Sequence, residues 1–421
     1  MRPNVLFINV DQMSAMDSIG ALGSPHVDTP AIDRIFRNGR AFSKAFPADP
    51  VCCPSRTSWW TGRYPSEHGT PLNDTPCHPD MNEVLLPKKL REAGVRPFFA
   101  GKWHVEGAEV REHFHVLHEA GYWGELTDRD IASSACAFLE NYDGEEPFFL
   151  NLGFMNPHDI CISPCNDRGR AVDADGKLGL PYLDENILDE GEVPPLPEAL
   201  AYSEPEPHLQ WAWNRWARKQ DGADRYDALT WRMHRYNYHR WVEMVDREIG
   251  TVLDALEESR FRDNTWILFT SDHGEGMSRH QVIGKILFYR EITEVPMVIG
   301  TLGDRLPVAK GTTEDRYFAS GVDIAPTVCA IMEADASDDA LGRNLMPLVQ
   351  GKTPDAWREF AYVECAFNAR MVSDGHYKYV RDYRVEEEDF RSPGPDTHRI
   401  HLEQLFDLES DPEESRDRAS D

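Results

Sequence analysis

Four apolar stretches of this chain each run straight into polar, ionisable residues, and no other feature constrains the fold as tightly. Val5–Val10 ends at Asp11-Gln12, and Arg96–Ala100 ends at Gly101-Lys102-Trp103-His104. Pro147–Phe154 ends at Asn156-Pro157-His158, and Thr265–Thr270 ends at Ser271-Asp272-His273-Gly274. Each stretch is short and β-prone. Between them the apolar period turns helical: Leu86–Ala93 is closed by Gly94, and Val245, Ile249, Val252, Leu253 and Leu256 share one helical face. Strands alternating with helices predict an α/β fold, a large, mostly parallel sheet flanked by helices on both faces. In open sheets of this kind ligands gather outside the C-terminal strand ends, so these four polar clusters can meet although they lie far apart in sequence.

From about Thr353 the texture changes. Phe360–Val363, Ala369–Val372 and Tyr377–Val380 read as short strands broken by turns, followed by charged sequence and Leu405-Phe406-Asp407-Leu408. The expected organisation is a main α/β domain over residues 1–352 and a small C-terminal antiparallel α+β subdomain over 353–421. Trp211 to Trp241, rich in Trp, Arg and Tyr, reads as a long connecting helical region rather than a cover over the site.

The formal net charge of −29 argues against nucleic acid and against anionic membrane surfaces as partners. The run Val5–Val10 is too short to span a bilayer and no small-residue cleavage site follows it. The expected location is therefore cytoplasmic, or periplasmic or secreted if a leader has been trimmed. Eight cysteines in 421 residues do not make a disulfide scaffold. Cys161 and Cys165 stand as C-x3-C with no second pair to complete a zinc site, so the pair reads as structural.

Two of the strand ends supply hard-metal ligands. The carboxylates of Asp11 and Asp272 suit Ca2+ or Mg2+, while His273 leaves Mn2+ or Zn2+ open. Elsewhere, Cys52-Cys53-Pro54-Ser55-Arg56 is followed by Thr61-Gly62-Arg63. Pro54 suits the first turn of a helix, which would put Cys52 at the helix N-terminus with Arg56 on the same face.

That C-x-P-x-R run with its trailing Thr-Gly-Arg resembles the type I sulfatases of the alkaline phosphatase superfamily. The likeness extends through Pro3-Asn4-Val5-Leu6, Thr29-Pro30, Gly101-Lys102-Trp103-His104, Pro157-His158, Ser271 to Glu275, Val322-Asp323 and Asp411-Pro412-Glu413, in family order. The resemblance implies that Cys52 is oxidised to formylglycine by a maturation enzyme that reads the thiol, Pro54 and Arg56 as a linear motif. One hydroxyl of the aldehyde hydrate then attacks sulfur, and the second expels sulfate by C–O cleavage. It further implies that Lys102 and His104 bind sulfate and the nucleophile's oxygens. His158 and Lys285 would lie near the leaving oxygen, either able to donate a proton, and Asp272 would bind metal and assist the nucleophile.

Two departures from the family pattern bear on the reading. Where many relatives carry a second aspartate after the first strand, this chain has Gln12, a neutral amide that still offers an oxygen to a metal, making it the expected fourth ligand. The later pair is Asp272-His273 where others have Asp-Asn. This combination resembles sulfatases of carbohydrates or choline sulfate and the phosphonate monoester hydrolases. Arg290 and Glu294 exchange the charges usual in relatives yet keep an i,i+4 pair, and are assigned a structural role. The expected activity is hydrolysis of sulfate esters, carbohydrate sulfates foremost, with Ca2+ as the first choice of ion. The alternatives are a phosphonate monoester or phosphodiester hydrolase on the same site, or a sulfated-glycan-binding protein without catalysis. Segments Pro71–Asp80, Cys161–Leu178 and Trp211–Trp231 are the expected contributors to substrate choice.

Overall fold

Strand β1 (Asn4–Asp11) is buried along its whole length and forms the middle of an eight-stranded sheet. The computed structural model of the chain describes residues 2–121, 123–162, 193–200, 226–365, 369–383 and 403–421. The remaining strands of this sheet are β2 (Gly39–Phe42), β4 (Arg96–Gly101), β5 (His115–Glu119), β6 (Phe148–Pro157), β7 (Thr265–Ser271), β8 (Met297–Gly300) and β9 (Thr312–Glu314). Their order is β5-β4-β6-β1-β7-β8-β2-β9. Neighbours are parallel from β5 through to β7, whereas β8 runs antiparallel to both β7 and β2. Two two-residue strands, β3 (Ala45–Phe46) and β10 (Ala319–Ser320), pair beside it.

Five described helices have at least eight residues: α1 (Pro30–Asn38), α2 (Cys52–Thr61), α3 (Gly124–Asn141), α4 (Ala228–Glu258) and α5 (Ile324–Ile331). Alternation along β1 explains why both faces are covered. Leu6, Ile8 and Val10 pack with α1, α3 and α4, including the Val245-to-Leu256 stripe, while Val5 and Phe7 pack with Trp59 and Trp60 of α2 and with α5. Each such side chain removed from water contributes roughly 1.5–3 kcal/mol, enough to fix which face every element presents.

Register sets the site. Asp11 lies level with Pro157 on one side, and Val10 is level with Ser271 on the other. The residues that follow, His158 and Asp272, therefore emerge beside Asp11. Gly101 pairs with Gly153 at φ +112°, where an added Cβ would stand 2.1 Å from the Gly153 carbonyl oxygen. Only glycine allows the chain to turn there and carry Lys102 over the sheet edge.

The C-terminal strands β11 (Ala361–Cys365), β12 (Ala369–Ser373), β13 (Tyr377–Asp382) and β14 (Glu403–Asp407) form the expected antiparallel sheet. One face packs on Phe46, Phe288 and Phe318 of the larger body. Two expectations need amendment. Strand β6 runs three residues past Phe154, to Pro157. Of the segment Trp211–Trp241, residues 211–225 lie outside the described residues, but the rest is more than a connection. Asp227 caps α4 by accepting from Thr230 N, and the Tyr238 hydroxyl reaches the backbone of Gln12 at the site.

Candidate active site

Helix α2 carries a polar sequence, yet every one of its residues is buried. Its hydroxyls are satisfied internally: Thr57, Ser58 and Thr61 donate to the carbonyls four residues back at 2.8, 3.0 and 2.9 Å, and Ser55 Oγ donates to Asp272 O at 2.7 Å. Val51 is the extended N-cap, so Cys52 opens the helix as the motif predicts, and Gly62 at φ +70° closes it. Asn73, within the segment Pro71–Asp80, accepts the free N–H of Cys53 at 3.1 Å.

Cys52 stands where the other strand ends converge. Its Sγ lies 2.6 Å from Lys285 Nζ, 3.2 Å from His273 Nε2 and 3.6 Å from Asp11 Oδ1. Burial and Asp11 push this thiol up, but Lys285, Lys102 and His273 outweigh them and hold it well below the usual thiol range. Cys53, one residue on, is pushed up to about 12 by burial and stays a neutral thiol. The site therefore favours negative charge on the atom attached to Cβ of residue 52 and at no neighbouring position.

Arg56 is fully buried and bridges the two carboxylates. Its Nε donates to Asp272 Oδ2 at 2.9 Å and a terminal nitrogen donates to Asp11 Oδ2 at 3.1 Å, while the other terminal nitrogen reaches Asn9 Oδ1 and Lys102 O, both at 3.2 Å. Lys102 Nζ also pairs with Asp11 Oδ2, at 2.7 Å. Burial would raise the Asp11 carboxyl, yet Lys102, His158, Arg56 and Lys285 hold it well below the carboxylate range. Asp272, pushed up by burial and by Asp11, lies at about 6 despite His273 and Arg56.

One ligand atom from each of Asp11, Cys52, Asp272 and His273 falls within 4.8 Å of the others. His273 Nδ1 donates to Gly274 O at 2.9 Å, so Nε2, which faces Cys52, is the ring nitrogen open to a metal. Two buried carboxylates and one imidazole fit a hard or borderline divalent ion, and Gln12, the expected fourth ligand, follows Asp11 directly in the chain. Gln12 sits at φ +72° with its N–H on Asp272 Oδ1 at 3.0 Å.

The other predicted residues lie as follows. His158 follows β6 directly, its Nδ1 is buried without a protein partner among the described residues, and burial pushes its imidazole down, with Asp11 opposing. His104, at φ +51°, likewise keeps Nδ1 unpartnered at the end of β4. Arg290 and Glu294 form the expected pair, doubly bonded at 2.6 and 3.1 Å. Cys161 lies beside the Gln12 amide, 3.5 Å from Nε2, whereas Cys165, residues 163–178 and residues 211–225 lie outside the described residues.

Sequence reasoning gave no role to Asn9, Glu275, His234 or Tyr238. Asn9 steadies Arg56 and in turn donates to Asn151 Oδ1 at 2.8 Å. Glu275 is fully buried behind Gln12. The acid three residues after a metal ligand in Asp272-His273-Gly274-Glu275 was the available signal for it.

Comparison with known proteins bears on the family and the fold. The sequence model of the sulfatase family matches residues 3–334, and that of the N-sulphoglucosamine sulphohydrolase C-terminal region matches 278–421. A Δ4,5-hexuronate-2-O-sulfatase of Bacteroides thetaiotaomicron is 25% identical over 450 residues, covering 100% of this chain and 85% of that protein. Among solved structures, a 2-O GAG sulfatase superposes with a TM-score of 0.81 at 22% identity, covering 100% of this chain and 88% of the other. The phosphonate monoester hydrolase of Agrobacterium radiobacter superposes with a TM-score of 0.75 at 21% identity, covering 100% and 92%. At those identities the two structures establish the shared fold.

Proposed function

This chain belongs to the sulfatase family, and from that premise we propose that it hydrolyses sulfate esters of carbohydrates, using a formylglycine made from Cys52 and a divalent metal, Ca2+ foremost. The observation that carries the reading is the convergence of Lys285, His273 and Asp11 on the Cys52 sulfur. That sulfur stands in for the oxygens of an aldehyde hydrate. The hydrate supplies two hydroxyls on one carbon, one to attack sulfur and one to expel sulfate. A divalent ion would be held by Asp11, Asp272, His273 and Gln12 and would supply positive charge to the reacting centre.

The chain's own residues do the remainder. Lys285 and Lys102 bring ammonium groups to the reacting centre, Lys285 on the position-52 side chain and Lys102 through Asp11. They offset the charge of an anionic substrate that the overall −29 of the protein would repel. Arg56 donates to both Asp11 and Asp272 and so aims the two carboxylates. His158 and His104 hold unpartnered ring nitrogens at the strand ends, His158 being placed to give a proton to the leaving alcohol. The carbohydrate assignment is supported by relatives such as the hexuronate-2-O-sulfatase, which align along this chain's full length.

A panel of defined sulfated mono- and disaccharides, an aryl sulfate, a phosphonate monoester and a phosphodiester tests the proposal. Sulfate release from at least one sugar at a kcat/KM above that for the phosphonate is expected. Dominant phosphonate turnover would reassign the activity. Binding of sulfated sugar without sulfate release, by protein whose position 52 is still a thiol, would support the non-catalytic reading.

A further inference from the structure

Gln12 is held at three points. Asp272 Oδ1 accepts its N–H, and the Tyr238 hydroxyl donates to its carbonyl at 2.9 Å, fixing a backbone at φ +72°. Its side-chain Nε2 donates to Glu275 Oε2 at 2.5 Å. Glu275 is fully buried, and its other oxygen, Oε1, is already committed, accepting Gly284 N at 2.6 Å and His234 Nε2 at 3.3 Å. A carboxylate offers acceptors only, so the end of the Gln12 amide facing Glu275 must be the NH2. Oε1 of Gln12, which otherwise meets only the weak donor of the Cys161 thiol at 3.6 Å among the described residues, is then the end open to a cation.

We propose that Glu275 is a positioning residue that sets the orientation of the Gln12 amide, so that a neutral side chain presents an oxygen, not an NH2 group, to the metal. The proposal rests on Gln12 being a ligand, as in the function above. It explains how a site with one carboxylate fewer still offers a full set of acceptors. The negative charge is moved one shell outward, where Gly284 N and His234 partly offset it. It also explains why a glutamate at position 12 would not serve here, since two carboxylates would then abut at 2.5 Å.

The substitution Glu275→Gln makes the dependence sharp. Gly284 N requires an acceptor, and His234 can adjust its tautomer, so the new amide must turn its oxygen to Gly284 N and its NH2 to Gln12. Two NH2 groups cannot face each other, and the Gln12 amide must flip, turning NH2 towards the cation. The reverse exchange, Gln12→Glu with Glu275→Gln, restores a donor–acceptor pair and places a carboxylate oxygen at the ion.

The test is calorimetric titration of Ca2+ into chelator-treated full-length protein, with thermal melting of the same metal-free samples as the control for folding. Glu275→Gln should weaken Ca2+ binding about 10- to 100-fold. Gln12→Ala should also weaken it, and adding Glu275→Gln to Gln12→Ala should cost about twofold or less, because the residue that Glu275 acts through is gone. Gln12→Glu alone should bind Ca2+ at least about tenfold more weakly than the exchanged pair. Should Glu275→Gln fail to fold, this last comparison decides the matter. If Gln12→Ala binds Ca2+ like the wild type, Gln12 is no ligand and the proposal fails with that reading. If Gln12→Ala weakens binding but Glu275→Gln does not, or costs the same in both backgrounds, Gln12 stands as a ligand and the positioning role is overturned.

Discussion

Lys285 Nζ and Cys52 Sγ, 233 residues apart in sequence, lie 2.6 Å from each other. In the proposed mechanism the lysine thus addresses the attacking side chain itself as well as whatever the substrate brings. It also separates the possible roles of Lys285 and His158. A group that binds the nucleophile and sulfate affects all substrates alike, whereas a proton donor matters most when the leaving alcohol is poor.

Removing each in turn should therefore give different patterns. His158→Ala should slow sugar sulfates about 10²–10⁴-fold while activated aryl sulfates lose far less. Lys285→Ala should depress both classes together. Comparing kcat for the two classes in each variant decides the point, and equal losses for His158→Ala would reduce that residue to binding or positioning.

Cys52→Ala and Cys52→Ser should fold and bind metal yet turn over little or no substrate, while Cys53→Ala keeps most activity. Peptide mass spectrometry of active enzyme should show an aldehyde at 52 and an intact thiol at 53, which burial already keeps neutral. Wild-type rates from Cys52→Ala would end the mechanism.

Arg56→Ala leaves Asp11 and Asp272 facing each other in a buried site without the cation that bridges them. Breaking a buried pair in this way typically destabilises a protein by about 3–5 kcal/mol. Urea unfolding of metal-free protein should show a loss of that order, and added Ca2+ should recover part of it by supplying positive charge to the same carboxylates. A variant as stable as the wild type without metal would contradict the bridging role. Asp272→Ala, by contrast, should keep the fold and lose the ion, as elemental analysis after dialysis would show.

Glu291 gives a prediction about pH. It is fully buried, Oε1 has no partner among the described residues, and burial pushes its carboxyl up to about 8, with Arg279 opposing. Between an unfolded value of about 4.3 and 8, the folded protein holds a proton that the unfolded chain has released, so stability falls as pH rises through that window. Glu291→Gln cannot titrate. Its unfolding midpoint should fall less than the wild type's between pH 5 and 8, and parallel curves would show that Glu291 is not the source.

The strand ends were readable because apolar runs that stop at Asp, Lys or His leave their mark in one dimension, and sheet topology does the gathering. Asp11, Lys102, His158 and Asp272 all follow that logic. The bridging of Asp11 and Asp272 by Arg56 was not readable. It depends on Val10 lying level with Ser271, a register that only packing on both faces decides. Glu275 stayed hidden for a similar reason: its partner is 263 residues away, and an acid near a metal ligand reads as another ligand. The antiparallel turn of β8 left no trace either, since Met297–Gly300 is too short to reveal its direction.

The burial of α2 also fixes an order of events. Cys52 and Arg56 are each only 1% exposed, and the helix is locked by its contacts with Asp272, Asp11 and Asn73. An enzyme that reads thiol, proline and arginine along an extended strand has no access to them once these contacts close. If Cys52 is converted as proposed above, conversion competes with folding, and each molecule's state is decided while it is being made. A preparation would be a fixed blend of competent and incompetent copies, alike in fold and melting behaviour. Its specific activity would report the host's oxidising capacity at synthesis, and no later treatment of the folded protein would raise it.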